Sequence, residues 1–138
     1  TIMREKKMPV LVMFIDLDRL KYINDTFGHE YGDFAIVSIA KAMLKHCDAD
    51  AIAARTGGDE FIVLECAKDE ESGRVLAQKI RTELSKTQRA MQLPFDLSAS
   101  IGAVVAHPGE ENVLESYVKR AEMLMYEEKA EKKVSRDS

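Results

Sequence analysis

Acidic side chains stand where two apolar segments of this chain end, and their spacing points to metal chemistry. Asp16 and Asp18 close one apolar run, and the adjacent pair Asp59 and Glu60 opens another. Neighbouring carboxylates raise each other's pKa unless a cation lies close to them. Carboxylate oxygens suit Mg²⁺, with water and phosphate completing the coordination shell. Because phosphate-bridging Mg²⁺ is typical of phosphoryl and nucleotidyl transfer, Asp16, Asp59 and Glu60 predict a magnesium–nucleotide site.

Both acidic pairs also have simpler explanations. A Gly-Gly-Asp-Glu sequence can be an ordinary solvated hairpin tip, with Gly57 and Gly58 supplying the positive φ values of a tight turn. Asp18 can be the N-cap of a helix that begins at Arg19. We therefore assign Asp18 to the helix cap and Asp16 to the metal site.

The periodicity of apolar residues indicates strands and helices in the order β-α-α-β-β-α-β-α. The predicted strands are 9–15, the two arms of a hairpin within 50–66, and 97–106. The predicted helices are 19–27, which Gly28 ends, then 34–45, 69–87 and a last helix from Glu111 or Asn112. The charged segment 127–133 of that last helix is expected to extend past the body of the domain.

This order predicts an α+β sandwich of the ferredoxin-like type, with a mixed central sheet that helices cover mainly on one face. The continuous apolar run of 9–15 is typical of a central strand that is covered on both faces. With that strand beside the hairpin, Asp16 and the Asp59-Glu60 turn would lie at the same edge of the sheet.

The composition is that of one globular domain and excludes several classes of partner. The chain has 138 residues, 46% hydrophobic and 32% charged, which is enough for a single domain over 1–138. Its net charge of −4 argues against binding a nucleic acid polymer. No apolar run is long enough to span a membrane, so no membrane contact is expected. Cys47 and Cys66 lack metal-ligand spacing and are expected to be reduced thiols in a cytoplasmic domain.

Several short motifs occur together and in a fixed order along most of the chain. They are Asp16-Leu17-Asp18, Leu20 to Asp25, Gly28-His29, Gly32-Asp33, Arg55, Gly57 to Phe61, Ser100 to Gly102, and Met125-Tyr126 with Lys129. By these motifs the chain resembles the GGDEF domain, the diguanylate cyclase family. The resemblance implies a nucleotidyl-cyclase, palm-like fold and the condensation of two GTP molecules into cyclic di-GMP and pyrophosphate.

The resemblance also implies metal ligands and catalytic residues. The positions that match ligands of Mg²⁺ or Mn²⁺ are Asp16, the backbone carbonyl of Leu17, Asp59 and Glu60. Asp59 also matches the acid that helps to deprotonate the attacking 3′-hydroxyl, and Glu60 matches the acid that supports the metals. Lys21 matches a lysine that neutralises phosphate charge in the transition state.

Substrate recognition is implied at two further groups of positions. Asn24 and Asp33 match residues that read the guanine edge. A carboxylate that accepts from the N1–H and 2-amino groups of guanine rejects adenine, which lacks both donors. The remaining substrate-binding positions lie on the glycine pair and on the last helix, and they are Gly57, Gly58, Lys129 and Lys133.

Taken singly, these positions have ordinary structural explanations. Asn24 and Asp33 could be helix caps, and His29 could stabilise a loop. Lys21 and Lys129 could be solvated surface lysines, and Met125 and Tyr126 could be core residues. Only their joint occurrence at the family's spacing favours the functional interpretation.

Three departures from the family pattern carry expectations of their own. Lys132-Lys133 stand where the family usually has Gly-Arg, so Lys133 keeps a charge without a bidentate fork. The family's inhibitory Arg-x-x-Asp is replaced by Asp48-Ala49-Asp50-Ala51, so we expect no product inhibition through it. The family's usual lead-in segment is not found in 1–8, so the chain is expected to be a fragment of a longer signalling protein with an upstream sensor domain.

The symmetry of the product implies a two-fold arrangement of the enzyme. Each protomer of a homodimer would hold one GTP, and the chain alone is expected to be a weakly active or inactive monomer. The alternative is a GTP-binding regulatory module that no longer catalyses. The intact acids Asp16, Asp59 and Glu60 favour the cyclase.

Overall fold

A computed structural model describes residues 8–107 and 114–137 of the chain. The strands are β1 (Val10–Leu17), β2 (Ile52–Arg55), β3 (Glu60–Cys66) and β4 (Ala99–Ala106). The helices are α1 (Leu20–Phe27), α2 (His29–His46), α3 (Ser72–Ala90) and α4 (Leu114–Asp137). The predicted order of elements and the α+β class are confirmed. The predicted start of the last helix, at Glu111 or Asn112, lies outside the described residues.

The four strands form one sheet in the order β2-β3-β1-β4, and each neighbouring pair is antiparallel. The expected mixed sheet is therefore wrong for the described residues. The reason is that β3 and β4, which α3 connects, lie on opposite sides of β1 and do not pair with each other. The predicted central position of β1, beside the hairpin, is confirmed.

Helices cover both faces of the sheet, which corrects the expectation that they cover mainly one. On one face, alternate β1 residues such as Leu11 and Ile15 pack into a core with buried residues of α2 and α3. On the other face, Val12 and Phe14 pack against the buried side of α4, which includes Met125. Every β1 residue from Leu11 to Leu17 is buried, as the continuous apolar run predicted.

Two helices have different bounds from those predicted. Helix α2 begins at His29, directly after Gly28, so residues 29–33 belong to the helix and do not precede it. Gly28 has a φ of 101°, a conformation that favours glycine, and its N–H donates to the carbonyl of Asn24 to end α1. Helix α3 begins at Ser72 and continues to Ala90, which includes part of the predicted loop.

Helix α4 lies very close to β4 at one glycine. A Cβ atom on Gly102 would lie 2.0 Å from the carbonyl oxygen of Ala121 and 2.4 Å from the backbone nitrogen of Met125. The missing side chain thus lets the helix backbone approach the strand directly. No described helix combines the length and the apolar character needed to cross a membrane.

Candidate active site

Three carboxylates meet at the end of the sheet where β1 stops and β3 begins. Asp16 pairs with Glu60 in the antiparallel register, and the N–H of Leu17 donates to the carbonyl of Asp59 at 2.9 Å. One carboxylate oxygen from each of Asp16, Asp59 and Glu60 lies within 4.8 Å of the others. The structure therefore brings together the three acids that the sequence analysis assigned to one metal site.

The electrostatics of Asp16 favour a cation at this cluster. Asp16 is only 4% exposed, and burial raises the pKa of its carboxyl to about 6, with the nearby Asp59 adding to the increase and Lys129 opposing it. An ionised carboxylate in such surroundings needs a positive partner. The acids and the carbonyl of Leu17 form an all-oxygen donor set, which fits Mg²⁺ or Mn²⁺.

The ammonium of Lys129 contacts two of these oxygens directly. Its Nζ donates to Oδ1 of Asp16 at 2.9 Å and to the backbone carbonyl of Leu17 at 3.1 Å. Both groups match metal ligands in the sequence analysis. Lys129 is thus part of the site, where it contacts the acids as an internal cation.

Two further residues of α4 contact the same end of the sheet. The hydroxyl of Tyr126 donates to Oε1 of Glu60 at 3.2 Å, and Nζ of Lys132 donates to Oδ2 of Asp18 at 2.7 Å. Tyr126, Lys129 and Lys132 are three residues apart and so share one side of the helix. The expectation that 127–133 extends past the body is wrong, because this segment covers the acidic end of the sheet.

Tyr126 and Met125 have different environments, although both were candidate core residues. Met125 is fully buried, as expected, but Tyr126 is 47% exposed and faces the acids. Partial burial raises the pKa of the Tyr126 hydroxyl, and the nearby charge of Glu60 raises it further. The spacing of Tyr126 and Lys129 is the sequence signal that could have placed Tyr126 at the site.

Asp18 is a buried acceptor, so its assignment as the N-cap of α1 is wrong. Its carboxylate accepts from the hydroxyls of Ser98 and Ser100 at 2.7 and 2.6 Å, as well as from Lys132. Burial alone would raise the pKa of Asp18, but hydrogen bonds from Lys132, Ser100 and Ser98 outweigh it and hold the pKa below its usual value.

The first turn of α1 offers backbone donors close to the acids. The residue before the helix is Arg19, in a left-handed conformation with a φ of 58°, and the described residues provide no side-chain cap. The first N–H groups of a helix have no partner within the helix, and they suit an anion such as phosphate. Leu20 and Lys21 supply such groups a few residues after Asp16.

A second polar group lies where α1 packs on α2. The Oδ1 atom of Asn24 is buried without a hydrogen-bond partner among the described residues. A Cβ on Gly32 would lie 1.8 Å from this atom, so the packing requires glycine there. Asp33 is exposed within α2, which begins at His29, so it is not the cap of that helix. The side chain of Asn24 makes no capping bond either, which removes the simpler explanation for both residues.

The hairpin loop of 56–59 is organised by a side chain. Neither Gly57 nor Gly58 has a φ in the left-handed region, so the predicted need for glycine in a tight turn is wrong. The guanidinium of Arg55 donates to the carbonyl oxygens of both glycines, and the N–H of Thr56 donates to the carbonyl of Glu60. These bonds fix the loop that carries Asp59.

Two predicted phosphate-binding lysines do not contact the acidic cluster. Lys21 on α1 and Lys133 on α4 are exposed, and neither forms an ion pair within 8–107 and 114–137. Both are therefore free to meet an anionic ligand from solvent.

Comparison with known proteins identifies the family of this chain. A family model described as "Diguanylate cyclase, GGDEF domain" matches residues 1–135. The chain is 32% identical over 118 residues to the bifunctional diguanylate cyclase/cyclic di-GMP phosphodiesterase MucR of Pseudomonas aeruginosa. The aligned region covers 86% of this chain and 17% of MucR. It is 34% identical over 124 residues to the diguanylate cyclase VdcA of Vibrio cholerae, and that aligned region covers 87% of this chain and 36% of VdcA.

Solved structures show the same fold. The GGDEF domain of YfiN (also TpbB) from Pseudomonas aeruginosa superposes with a TM-score of 0.75 at 30% identity, over 94% of this chain and 81% of that one. The chain thus spans most of a solved GGDEF domain but only 17% and 36% of the curated relatives MucR and VdcA. This chain belongs to the GGDEF domain family of diguanylate cyclases.

Proposed function

We propose that this chain is an active diguanylate cyclase domain, which condenses two GTP molecules into cyclic di-GMP and two pyrophosphates. The observation that carries the proposal is the convergence of Asp16, Asp59 and Glu60 within 4.8 Å in a member of this family. A domain that had lost catalysis would be under no chemical requirement to keep these three acids together, one of them buried.

The metal-binding residues in this proposal are Asp16, the carbonyl of Leu17, Asp59 and Glu60, and the ion is Mg²⁺ or Mn²⁺. A bound ion would lower the pKa of the 3′-hydroxyl and neutralise charge on the triphosphate. Asp59 accepts the hydroxyl proton. The 3′-oxygen of one nucleotide then bonds to the α-phosphorus of the other, while the bond to the β-phosphate oxygen breaks and pyrophosphate leaves with the electron pair.

The chain's own cations and amides hold the triphosphate. The uncapped first turn of α1 supports phosphate binding beside Asp16. Lys21 and Lys133 are exposed and reach the phosphates from α1 and α4, and Lys129, which contacts Asp16, would bind phosphate once a metal ion neutralised that acid. Gly57 and Gly58 leave room on the hairpin loop, since a Cβ on Gly58 would meet nothing within 4 Å.

Guanine is read at the junction of α1 and α2. The amide oxygen of Asn24 has no hydrogen-bond partner there within 8–107 and 114–137, and Asp33 presents an exposed carboxylate one residue after Gly32. Asp33 accepts from the N1–H and 2-amino groups of guanine, and adenine offers neither donor.

Turnover requires two copies of the domain. Cyclic di-GMP has two equivalent phosphodiester bonds, so two protomers in antiparallel arrangement place each 3′-hydroxyl in line with the other's α-phosphate. Product does not inhibit through the position of the family's Arg-x-x-Asp, because the exposed Asp48 stands in place of the arginine and repels phosphate.

The direct test is incubation of the purified protein with GTP and Mg²⁺, followed by chromatography of the nucleotides. Because turnover requires two copies of the domain, cyclic di-GMP is expected when the chain is fused to a dimeric coiled coil, and Asp59→Ala is expected to abolish its formation without loss of fold. Product formation by Asp59→Ala at the wild-type rate would refute the assignment of the catalytic acid.

One observation favours a second candidate function, a GTP-binding regulatory module without catalysis. Lys129 donates to Asp16 and to the carbonyl of Leu17, so a cation of the chain itself can neutralise this acid, as a non-catalytic module would require. In that case GTP binds, Asp33→Ala removes the binding, and no product forms under any condition.

A further inference from the structure

We propose that Lys132 is a positioning residue, which neutralises Asp18 and thereby keeps Lys129 on Asp16, where it can exchange with the metal and reach phosphate. This inference rests on the metal and phosphate roles given under the proposed function. It concerns a lysine that lies three residues after Lys129 on the same helix.

The carboxylate of Asp18 is buried and needs a cation. Asp18 is 4% exposed, and its two serine partners, Ser98 and Ser100, are neutral donors. Lys132 supplies the charge at 2.7 Å and also donates to the carbonyl of Ala99 at 2.8 Å. A buried carboxylate that loses the cation hydrogen-bonded to it strongly attracts another cation within reach.

The cation within reach is Lys129. Its ammonium lies 2.9 Å from Asp16 but only 3.9 Å from Oδ1 of Asp18. Two lysines one turn apart on α4 therefore face Asp16, near the end of β1, and Asp18, just after it, and each acid has one lysine within hydrogen-bond distance. Without Lys132, a movement of about 1 Å would bring Lys129 into hydrogen-bond distance of Asp18.

Lys132 is itself held in place by the helix. Its Nζ lies 3.3 Å from Oε1 of Glu128, one turn earlier on α4. Glu128 in turn accepts two hydrogen bonds from the guanidinium of Arg81 on α3, at 2.9 and 2.7 Å. The anchored pair of Glu128 and Lys132 thus directs one ammonium to Asp18 and leaves Lys129 as the exchangeable one.

Loss of the charge at position 132 should have opposite effects on metal and nucleotide. When Lys129 moves to Asp18, Asp16 and the carbonyl of Leu17 lose their competing cation, so a metal binds them more tightly. The same movement withdraws Lys129 from the triphosphate, so GTP binds more weakly. A variant that merely loosened the packing of α4 would weaken both metal binding and GTP binding.

The test has two parts. Mn²⁺ is titrated into the nucleotide-free protein and monitored through the EPR signal of free Mn²⁺, and GTP binding is measured by calorimetry. Lys132→Gln keeps a hydrogen-bond donor but removes the charge. We expect it to tighten Mn²⁺ binding by about threefold or more and to weaken GTP binding by about fivefold. Lys132→Arg, which keeps the positive charge, should bind Mn²⁺ and GTP with the wild-type affinities. Lys119→Met, which removes an exposed lysine from the same helix, is the matched control and should change neither.

A double-mutant cycle separates repositioning from the general effect of removing a positive charge. In the Lys129→Met protein no ammonium remains to be captured, so Lys132→Gln should no longer tighten Mn²⁺ binding. Equal tightening in both backgrounds would mean simple charge removal and would overturn the proposal, as would no tightening in either.

Two further measurements keep the outcome decisive. If the Lys132→Gln protein does not unfold cooperatively, the substitution is combined with Asp18→Asn, which removes the buried charge. The double variant should then bind Mn²⁺ as tightly as Asp18→Asn alone. Tighter Mn²⁺ binding by the double variant would contradict the proposal. If wild-type protein binds Mn²⁺ in a manner that Asp59→Asn does not weaken, the proposed metal site fails. If Asp59→Asn does weaken binding but Lys132→Gln has no effect, only the role of Lys132 fails.

Discussion

The ammonium of Lys129, near the end of the last helix, lies 2.9 Å from Oδ1 of Asp16, at the end of the first strand. This ion pair connects residues 113 positions apart and places a cation where the metal ligands converge. Because both partners have roles in the proposed reaction, the pair predicts competition between Lys129 and the metal.

Lys129→Met should therefore separate metal binding from nucleotide binding. In the nucleotide-free protein, Mn²⁺ affinity should increase by about threefold to tenfold, because Asp16 no longer has a competing ammonium. GTP affinity should decrease by a similar factor, which calorimetry at saturating Mn²⁺ would measure. Weaker Mn²⁺ binding in a folded variant would show that Lys129 supports the acids and does not compete.

Metal affinity should fall as the pH falls through about 6. The pKa of Asp16 is raised to about 6, mainly by burial, so below that pH a proton must leave before a metal can bind. For a single proton the loss is about tenfold per pH unit. Mn²⁺ titrations at pH 5 to 8 would measure it, and a constant affinity across that range would contradict the assignment.

The same group should make the metal-free fold more stable in mild acid. The folded-state pKa of Asp16, about 6, exceeds its ordinary value of 3.8, so between these values the folded chain binds a proton that the unfolded chain does not. The contribution of Asp16 to the free energy of unfolding therefore rises as the pH falls from 7 towards 4. Urea unfolding should show this trend, and Asp16→Asn should reduce it, while Glu65, whose pKa burial also raises, keeps part of it.

Tyr126→Phe should affect the site without affecting the fold. The hydroxyl is lost from its hydrogen bond to Glu60, while the ring remains on the half-exposed side of α4. A bond of this kind contributes about 0.5–1.5 kcal/mol, so Mn²⁺ affinity should fall by roughly twofold to tenfold. Unchanged thermal unfolding with reduced affinity is expected, and unchanged affinity would mean that Glu60 needs no support from Tyr126.

Gly102→Ala should displace α4 and with it the three residues that contact the acids, Tyr126, Lys129 and Lys132. The added methyl would lie 2.0 Å from the Ala121 carbonyl, and backbone atoms cannot move aside as a side chain can. We expect a loss of about 3 kcal/mol or more in the free energy of unfolding. Gly58→Ala, where a Cβ meets nothing within 4 Å, is the control for stability. Similar stability of the two variants would contradict this packing.

The acids at the end of the sheet could be predicted because the relevant signals are local. A continuous apolar run marks β1, and a short hairpin of apolar arms marks its neighbour. Once these pair, the register places Asp16 opposite Glu60. Whether each strand pair is parallel or antiparallel was harder to predict, because this depends on the side of β1 on which the next strand lies after each connection.

The contribution of α4 could not be predicted because it depends on packing between distant parts of the chain. The close approach at Gly102 fixes where the helix lies, and only then do Tyr126 and Lys132 face the acids. Asp18 was misassigned for the same reason. A cap was the available local explanation, whereas its actual partners, Ser98, Ser100 and Lys132, are remote in sequence.

The most direct test of the central claim is turnover by the chain when it is held as a dimer. The protein is fused to a dimeric coiled coil, incubated with GTP and Mg²⁺, and compared with the unfused chain at the same concentration. Cyclic di-GMP is expected from the fusion, little or none from the unfused chain, and none from the Asp59→Ala fusion. GTP binding by the fusion without any product would contradict the account and would identify the domain as a regulatory GTP-binding module.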